Sequence, residues 1–82
     1  RVDPAVEAAQ RERLARLLIR ESHGAATFQL TATNEELAAR LGSVRDVISR
    51  TLSALQAEGL IRLDGRRVEI LDRRELTELA GL

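Results

Sequence analysis

The sequence predicts one small domain that is mainly α-helical with a small β-hairpin wing, which is the winged helix-turn-helix fold. Two helical patterns flank a glycine between residues 35 and 58, and an Asp-Gly pair separates two short runs of β-forming residues from 60 to 71. The chain has 82 residues, of which 44% are hydrophobic, so it can bury one small core but cannot form two domains. Residues 1–82 are therefore predicted to form one domain.

The helix-turn-helix is the central feature of this prediction. Residues 35–40 have the pattern of a short helix, Gly42 can end that helix in the left-handed conformation, and a longer helix is predicted from about 44 to 58. The apolar positions of both helices are spaced to face a common core. They are Leu37 and Leu41 in the first helix, and Ile48, Leu52 and Leu55 in the second, with Val44 leading into the stripe.

The opposite face of the second helix carries polar residues that suit the major groove of DNA. Arg45, Asp46, Ser49 and Arg50 lie there. Arginine pairs with the O6 and N7 atoms of guanine, and a carboxylate accepts from the N4 amino group of cytosine. The alternative is that the four residues form only a solvated face. The preceding turn favours DNA recognition, because amphipathic periodicity alone does not require a turn.

These residues resemble a known family. Leu-Gly-Ser-Val-Arg-Asp-Val-Ile-Ser-Arg, at 41–50, and Leu-Gln-Ala-Glu-Gly-Leu-Ile, at 55–61, are similar to the C-terminal DNA-binding domain of the bacterial Crp/Fnr transcription regulators. The resemblance extends from about Arg11 to Ala80. It implies that the four polar residues of the second helix read bases. It also implies phosphate contacts for Thr33, Arg66 and Arg67, although Thr33 is also explained as a helix cap, and the two arginines as edge-strand charges.

Two positions depart from the family pattern. Asp46 stands where Glu is usual, which leaves its contact to cytosine open: it either reads a base or only caps the helix. Val44 stands where Ser or Thr often caps the recognition helix and contacts a phosphate. Ser43 is therefore the candidate cap, with Asp46 completing a pair that resembles a capping box.

The remaining elements are predicted to support the helix-turn-helix. A first helix should start with Asp3 as its cap and Pro4 as its first residue, and should run from Ala5 to about Ser22. Its Leu14, Leu17 and Leu18 should be buried, and Arg11, Arg13, Arg16 and Arg20 should form its solvated side. Residues 1–10 are interpreted, by the resemblance, as the hinge or the end of a linker helix from a missing N-terminal sensory domain.

The chain between and after the main helices gives further local signals. Gly24 is predicted to end the first helix in a left-handed conformation, and residues 33–36 form a capping box. Residues 27–30 are predicted to form a short strand that pairs with the wing. The wing itself is expected as residues 60–63 and 67–71, joined by a tight turn at Asp64-Gly65. Asp72 should cap a last helix that runs to Ala80.

Composition limits the function classes. The formal net charge is zero, yet residues 40–50 hold three Arg and one Asp, net +2, and residues 60–74 hold five Arg and three acids, also net +2. All thirteen basic residues are Arg, which suits forked contacts but is also typical of a G+C-rich genome. The absence of Cys excludes disulfides and thiolate sites. With Phe28 as the only aromatic residue, single-strand binding by base stacking is disfavoured.

The predicted function is sequence-specific binding of double-stranded DNA by a bacterial, cytoplasmic transcription regulator, with no enzymatic activity and no membrane span. The resemblance implies a homodimer in the full-length parent, a palindromic DNA site and RNA polymerase as a further partner. It implies no cofactor in this domain. The effector of the sensory domain is unknown, although a cyclic nucleotide is one that the family allows. The alternatives are a winged helix used for protein contact, and a winged-helix repressor with its own ligand site, for which the sequence offers no polar cavity or metal cluster.

Overall fold

The computed structural model describes residues 4–82, which contain four α-helices and one three-stranded antiparallel sheet. The predicted fold class, mainly α-helical with a β-hairpin wing, is confirmed. In chain order the elements are α1 (Pro4–Ser22), β1 (Thr27–Gln29), α2 (Asn34–Leu41), α3 (Arg45–Ala57), β2 (Ile61–Asp64), β3 (Arg67–Ile70) and α4 (Arg73–Leu79).

Helix α1 supports the domain, because it packs against α2, α3, α4 and β1. Leu14, Leu17 and Leu18 are buried on its inner side, as predicted. The helix begins at Pro4, and the predicted cap Asp3 lies outside the described residues. Residues 4–10, interpreted above as a hinge or the end of a linker helix, are continuous with the rest of α1.

Two arginines of α1 that were predicted on its solvated side are only partly solvated, although Arg16 also makes an exposed pair with Glu12 at 2.9 Å. Arg11 is half-buried and forms an ion pair with Glu58 at the end of α3. Arg16 is also half-buried and donates from Nε and Nη2 to the carbonyl oxygen of Ala80, at 3.2 and 2.9 Å. The physical reason is that α1 lies against both α3 and α4, so side chains on its flanks reach the ends of those helices. The other two arginines of this set are exposed, as predicted.

The chain leaves α1 through two consecutive left-handed residues. Gly24 has φ +82°, as predicted, but His23 before it also has a positive φ, +48°. The turn is held by Arg73, whose guanidinium donates to the hydroxyl of Ser22 at 3.2 Å and to the carbonyl of Ala25 at 2.6 Å. The start of α4 is thereby tied to the end of α1.

The sheet has the strand order β1-β3-β2, so the predicted pairing of the short strand with the wing is confirmed. The wing turn lies one residue later than predicted. Asp64 pairs with Arg67, which leaves Gly65 and Arg66 as the two-residue loop. Gly65 has φ +60°, a conformation that glycine adopts without steric cost. Because β3 is the central strand, Arg67 is not an edge-strand charge, and that alternative is wrong.

One hydrophobic core joins the helices to the sheet. Asp72 caps α4, accepting from the N–H of Glu75 at 3.1 Å, and Leu76 is fully buried. No helix within residues 4–82 is both long and apolar enough to cross a membrane. The largest fully buried side chains are Leu14, Leu18, Leu37, Ile48, Leu55, Ile61, Val68 and Leu76.

Candidate nucleic-acid interface

Helix α2 starts with the predicted capping box. The Thr33 hydroxyl accepts from the N–H of Glu36 at 3.1 Å, and the Glu36 carboxylate accepts from the N–H of Thr33 at 3.0 Å. This carboxylate has a lowered pKa, first because the Thr33 backbone N–H and then the Thr33 side chain bond to it, and further because Arg40 and Arg66 are positively charged. The capping role of Thr33 is confirmed. Thr33 is also exposed, so its predicted phosphate contact stays a prediction.

The turn between α2 and α3 has the predicted geometry. Gly42 follows α2 with φ +65° and ψ +38°, and its N–H donates to the carbonyl of Ala38. The N–H of Ser43 donates to the same carbonyl at 2.8 Å. These bonds satisfy acceptors that a helix end leaves free, while the left-handed glycine redirects the chain.

The start of α3 differs from the predicted one. Val44 is the N-cap residue, with φ −122° and ψ 156°, and no side chain caps the helix. The proposed pair of Ser43 and Asp46 is therefore wrong. Because the helix begins at Arg45, Ser43 lies one residue too early to cap, and Asp46 is the second helical residue rather than the third. Val44 is 61% exposed, so it does not lead the buried stripe.

The buried side of α3 holds the helix against the rest of the domain. Ile48, Leu52 and Leu55 are buried as predicted, and Val47 was missed. Val47 lies in a cleft between α1 and α3 that Arg11 and Arg50 also line. By helical periodicity Val47 lies beside the stripe of Ile48, Leu52 and Leu55, not on it. Its burial depends on the position of α1, which periodicity does not give.

The exposed side of α3 carries the predicted base-reading residues. Arg45, Asp46 and Arg50 are all exposed. Arg45 lies 3.6 Å from the carboxylate of Glu35, in an exposed pair of the kind that contributes little to stability. The Nε atom of Arg50 is 3.5 Å from the backbone oxygen of Asp46, which is a weak contact at most. The long side chains are therefore free to reach another molecule.

Ser49 and Arg66 are brought together by Asn34, a residue for which no sequence pattern predicts this role. The Nδ2 atom of Asn34 donates to the Ser49 hydroxyl at 3.0 Å. Its Oδ1 atom accepts from Nη1 of Arg66 at 2.7 Å, and Nη2 of Arg66 donates to the carbonyl of Ala32. Arg66 is thus half-buried against the start of α2 rather than an ordinary surface charge. Its phosphate contact stays a prediction.

The wing is attached to α3 as well. The backbone N–H of Leu63 donates to Oε1 of Gln56 at 2.6 Å, so a polar residue of α3 holds strand β2. Arg67 is exposed on β3, opposite Asp64 and Gln29 in the strand register, and makes no ion pair within residues 4–82. Arg67 is therefore available to an anion. Across the described residues, no three metal-ligating side chains converge.

Comparison with known proteins identifies the family. The model of the Crp-like helix-turn-helix domain matches residues 12–79. The chain belongs to this family. The resemblance described for residues 11–80 is confirmed, and with it the function class, DNA binding in transcription regulation.

Individual relatives agree with this assignment of the Crp-like domain. The transcriptional activator protein FnrL of Cereibacter sphaeroides is 46% identical over 68 residues, which are 82% of this chain and 27% of FnrL. The structure of a CRP-family transcriptional regulator from Thermus thermophilus is 33% identical with a TM-score of 0.75, covering 89% of this chain and 40% of that one. The structure of FixK2 from Bradyrhizobium japonicum gives a TM-score of 0.80 at 26% identity, and the match covers 85% of this chain and 37% of FixK2. The chain thus spans less than half of the length of these proteins.

Proposed function

We propose that this Crp-like domain reads duplex DNA with the exposed side of α3. The residues at base edges are Arg45, Asp46, Ser49 and Arg50, and those at phosphates are Thr33, Arg66 and Arg67. One observation carries the proposal: α3 is held by its buried side, while two exposed arginines and an exposed carboxylate project from the other, with only one exposed ion pair, from Arg45 to Glu35, among them. A helix presented in this way suits the major groove, where arginine and carboxylate side chains discriminate base pairs.

The names of the relatives support a wider proposal for the protein. FnrL is named as a transcriptional activator, which supports a role for this domain in transcription regulation. We further propose that the domain forms the output end of a dimeric cytoplasmic regulator that recognises a palindromic site. RNA polymerase would be its protein partner, and the effector, for which a cyclic nucleotide is a candidate, would bind outside this domain. The proposal includes no catalytic step, since the matched relatives are named as regulators.

The test compares two arginines in the full-length protein. Arg50→Ala should cost about 1–3 kcal/mol on the preferred duplex and much less on a scrambled one, because it removes a base contact. Arg67→Ala should weaken both duplexes alike, and should reduce the slope of log affinity against log salt by about one, because it removes a phosphate contact. Fluorescence titration of both duplexes across a salt series measures the two effects.

Arg74→Ala is the matched control. Its side chain is 91% exposed on α4 and faces Glu78 across 3.7 Å, so it carries the same charge on a different element. It should leave affinity, preference and salt slope unchanged. If Arg50→Ala and Arg67→Ala behave alike, or if neither alters binding, α3 does not read the groove. A winged helix used for protein contact would then be the better account.

A further inference from the structure

Asn34 connects the three parts of the candidate interface, since it lies at the start of α2 and bonds to both α3 and the wing. Its Nδ2 atom is 3.0 Å from the hydroxyl oxygen of Ser49, and its Oδ1 atom is 2.7 Å from Nη1 of Arg66. All three residues are half-buried. The direction of each bond determines what Ser49 can offer to DNA.

The chemistry of Arg66 fixes those directions. A guanidinium has only donors, so the atom of Asn34 that faces Arg66 must be the amide oxygen. The amide nitrogen then faces Ser49, and because it can only donate, the Ser49 oxygen accepts. The proton of the Ser49 hydroxyl is not used in this bond.

The hydroxyl proton of Ser49 also makes no other bond within residues 4–82. Thr51, two residues later on the same helix, differs in this respect. Its hydroxyl donates to the carbonyl of Val47 at 2.7 Å, four residues earlier, as helical Ser and Thr often do. Ser49 therefore keeps its proton for a partner outside the domain.

We propose that Asn34 is a positioning residue that makes Ser49 a hydrogen-bond donor towards the major groove. The inference rests on the proposed function. It specifies the base edge that Ser49 prefers: an acceptor such as the N7 of a purine, the O6 of guanine or the O4 of thymine, rather than the N4 amino group of cytosine. Arg66 takes part because it fixes the orientation of the Asn34 amide.

Asn34→Asp tests the proposal because an aspartate side chain has nearly the same shape as asparagine but reverses the direction of the hydrogen bond with Ser49. A carboxylate still accepts from Arg66, and its second oxygen now accepts the proton of Ser49, which leaves only lone pairs facing outward. Asp is also favourable at the first position of a helix, so α2 should be retained. Selection from random duplexes by the full-length protein should show preference at one base pair moving towards cytosine. We expect a change of about two- to tenfold in relative affinity, the size of one hydrogen bond.

Base preference, and not affinity, is the readout because the negative charge that Asn34→Asp adds lowers affinity for every DNA sequence. Ser49→Ala should flatten preference at the same base pair. A double variant that combines Asn34→Asp with Ser49→Ala should have the same base preference as Ser49→Ala alone. Asn34→Ala, which removes both bonds and adds no charge, should broaden preference there. Thermal unfolding of each variant verifies that the fold is kept.

Three results would overturn the proposal: preference unchanged in both Asn34 variants, a shift towards cytosine that persists without Ser49, or no effect of Ser49→Ala. Failure of the proposed function gives a different result. In that case the wild-type protein itself would select no DNA sequence, and there would be no base preference for Asn34 to influence.

Discussion

Asp46 is the second residue of α3, and its carboxylate is exposed to solvent without capping the helix. A carboxylate in the first turn interacts favourably with the helix dipole, by about 0.3–1 kcal/mol at low ionic strength. We expect Asp46→Ala to lower the free energy of unfolding by no more than this, and to abolish preference at one C·G pair. Urea unfolding and selection from random DNA measure the two effects.

Asp46→Asn is the control for charge, since the amide keeps the size of the side chain. It should weaken the preference for cytosine without abolishing it, because the amide oxygen still accepts from the N4 amino group but carries no charge. A larger loss of stability with unchanged preference would mean that Asp46 serves the fold and not the reading of bases.

Glu36 gives α2 a dependence on pH. Its pKa in the folded protein lies below the ordinary value of 4.5, because the Thr33 N–H and side chain bond to it and two arginines lie near. A depressed pKa means that the stabilisation is fully present above pH 4.5 and is lost as the pH falls through the lower, folded-state value. Glu36→Gln should therefore be less stable than the wild type at pH 7, and the difference should narrow towards pH 3.

Chemical unfolding of both proteins over this pH range measures the difference. Every other titrating group is present in both, including Glu58, whose pKa is lowered by its bond from Arg11. Those contributions cancel in the comparison. A difference that stays constant down to pH 3 would show that the ionised carboxylate of Glu36 contributes nothing to the cap.

Single residues were predictable where their signal is local. Thr33 and Glu36 form the capping box three residues apart, and the exposure of Arg45 and Arg50 follows from helical periodicity. Asn34 was not predictable as a bridge, because its partners lie 15 and 32 residues away in the chain. Only the packing of the wing against α2 brings them together.

The wing and α2 are joined by Arg66, and this junction can be tested separately from DNA binding. Arg66 donates to Asn34 and Ala32 from a half-buried position. Charged hydrogen bonds of this kind contribute about 1.5–3 kcal/mol. Arg66→Ala should lower the free energy of unfolding by about that amount in urea.

Arg67, the next residue, supplies the control because it is exposed. Arg67→Ala should change the free energy of unfolding by less than about 0.5 kcal/mol. If Arg66→Ala is equally mild, the hydrogen bonds of Arg66 do not hold the wing, and its predicted phosphate contact becomes the stronger explanation of its position.

At the level of helices and strands, the order of the elements was predictable and some of their ends were not. Gly42 fixes the end of α2, and its left-handed conformation is a property that glycine supplies by itself. Val44 carries no such signal, so the start of α3 was placed one residue early. The wing turn was misplaced because the pairing of Asp64 with Arg67 is set by both strands and not by the Asp-Gly pair alone.

The whole chain has no net charge, so attraction to DNA must come from where its charges lie. Several carboxylates are already engaged within the domain: Glu36 in the cap of α2, Glu58 with Arg11 and Glu78 with Arg74. By contrast, Arg50 and Arg67 make no ion pair within residues 4–82. These two arginines therefore place unpaired positive charge on α3 and on the wing, the two elements proposed to meet DNA.

The exposed apolar surface bears on assembly. Within residues 4–82 the large exposed hydrophobic side chains are Val6, Val44, Leu71 and Leu82, which lie on four different segments. Stable dimers usually need a contiguous apolar interface, with about 800 Å² buried on each partner. We therefore expect the 82-residue chain to sediment as a monomer of 9.1 kDa at micromolar concentration.

The same chain should bind a single half-site weakly, because a monomer presents only one α3 helix to the DNA. Two linked recognition helices on a palindromic site gain about 10²–10⁴ in affinity from effective concentration alone. The full-length protein, run in parallel, should sediment as a dimer. It should bind the palindrome about 10²–10⁴ times more tightly than the isolated domain does. A stable dimer of the 82-residue chain would mean that residues 1–82 carry their own interface. Symmetric recognition would then need no dimer interface outside this domain.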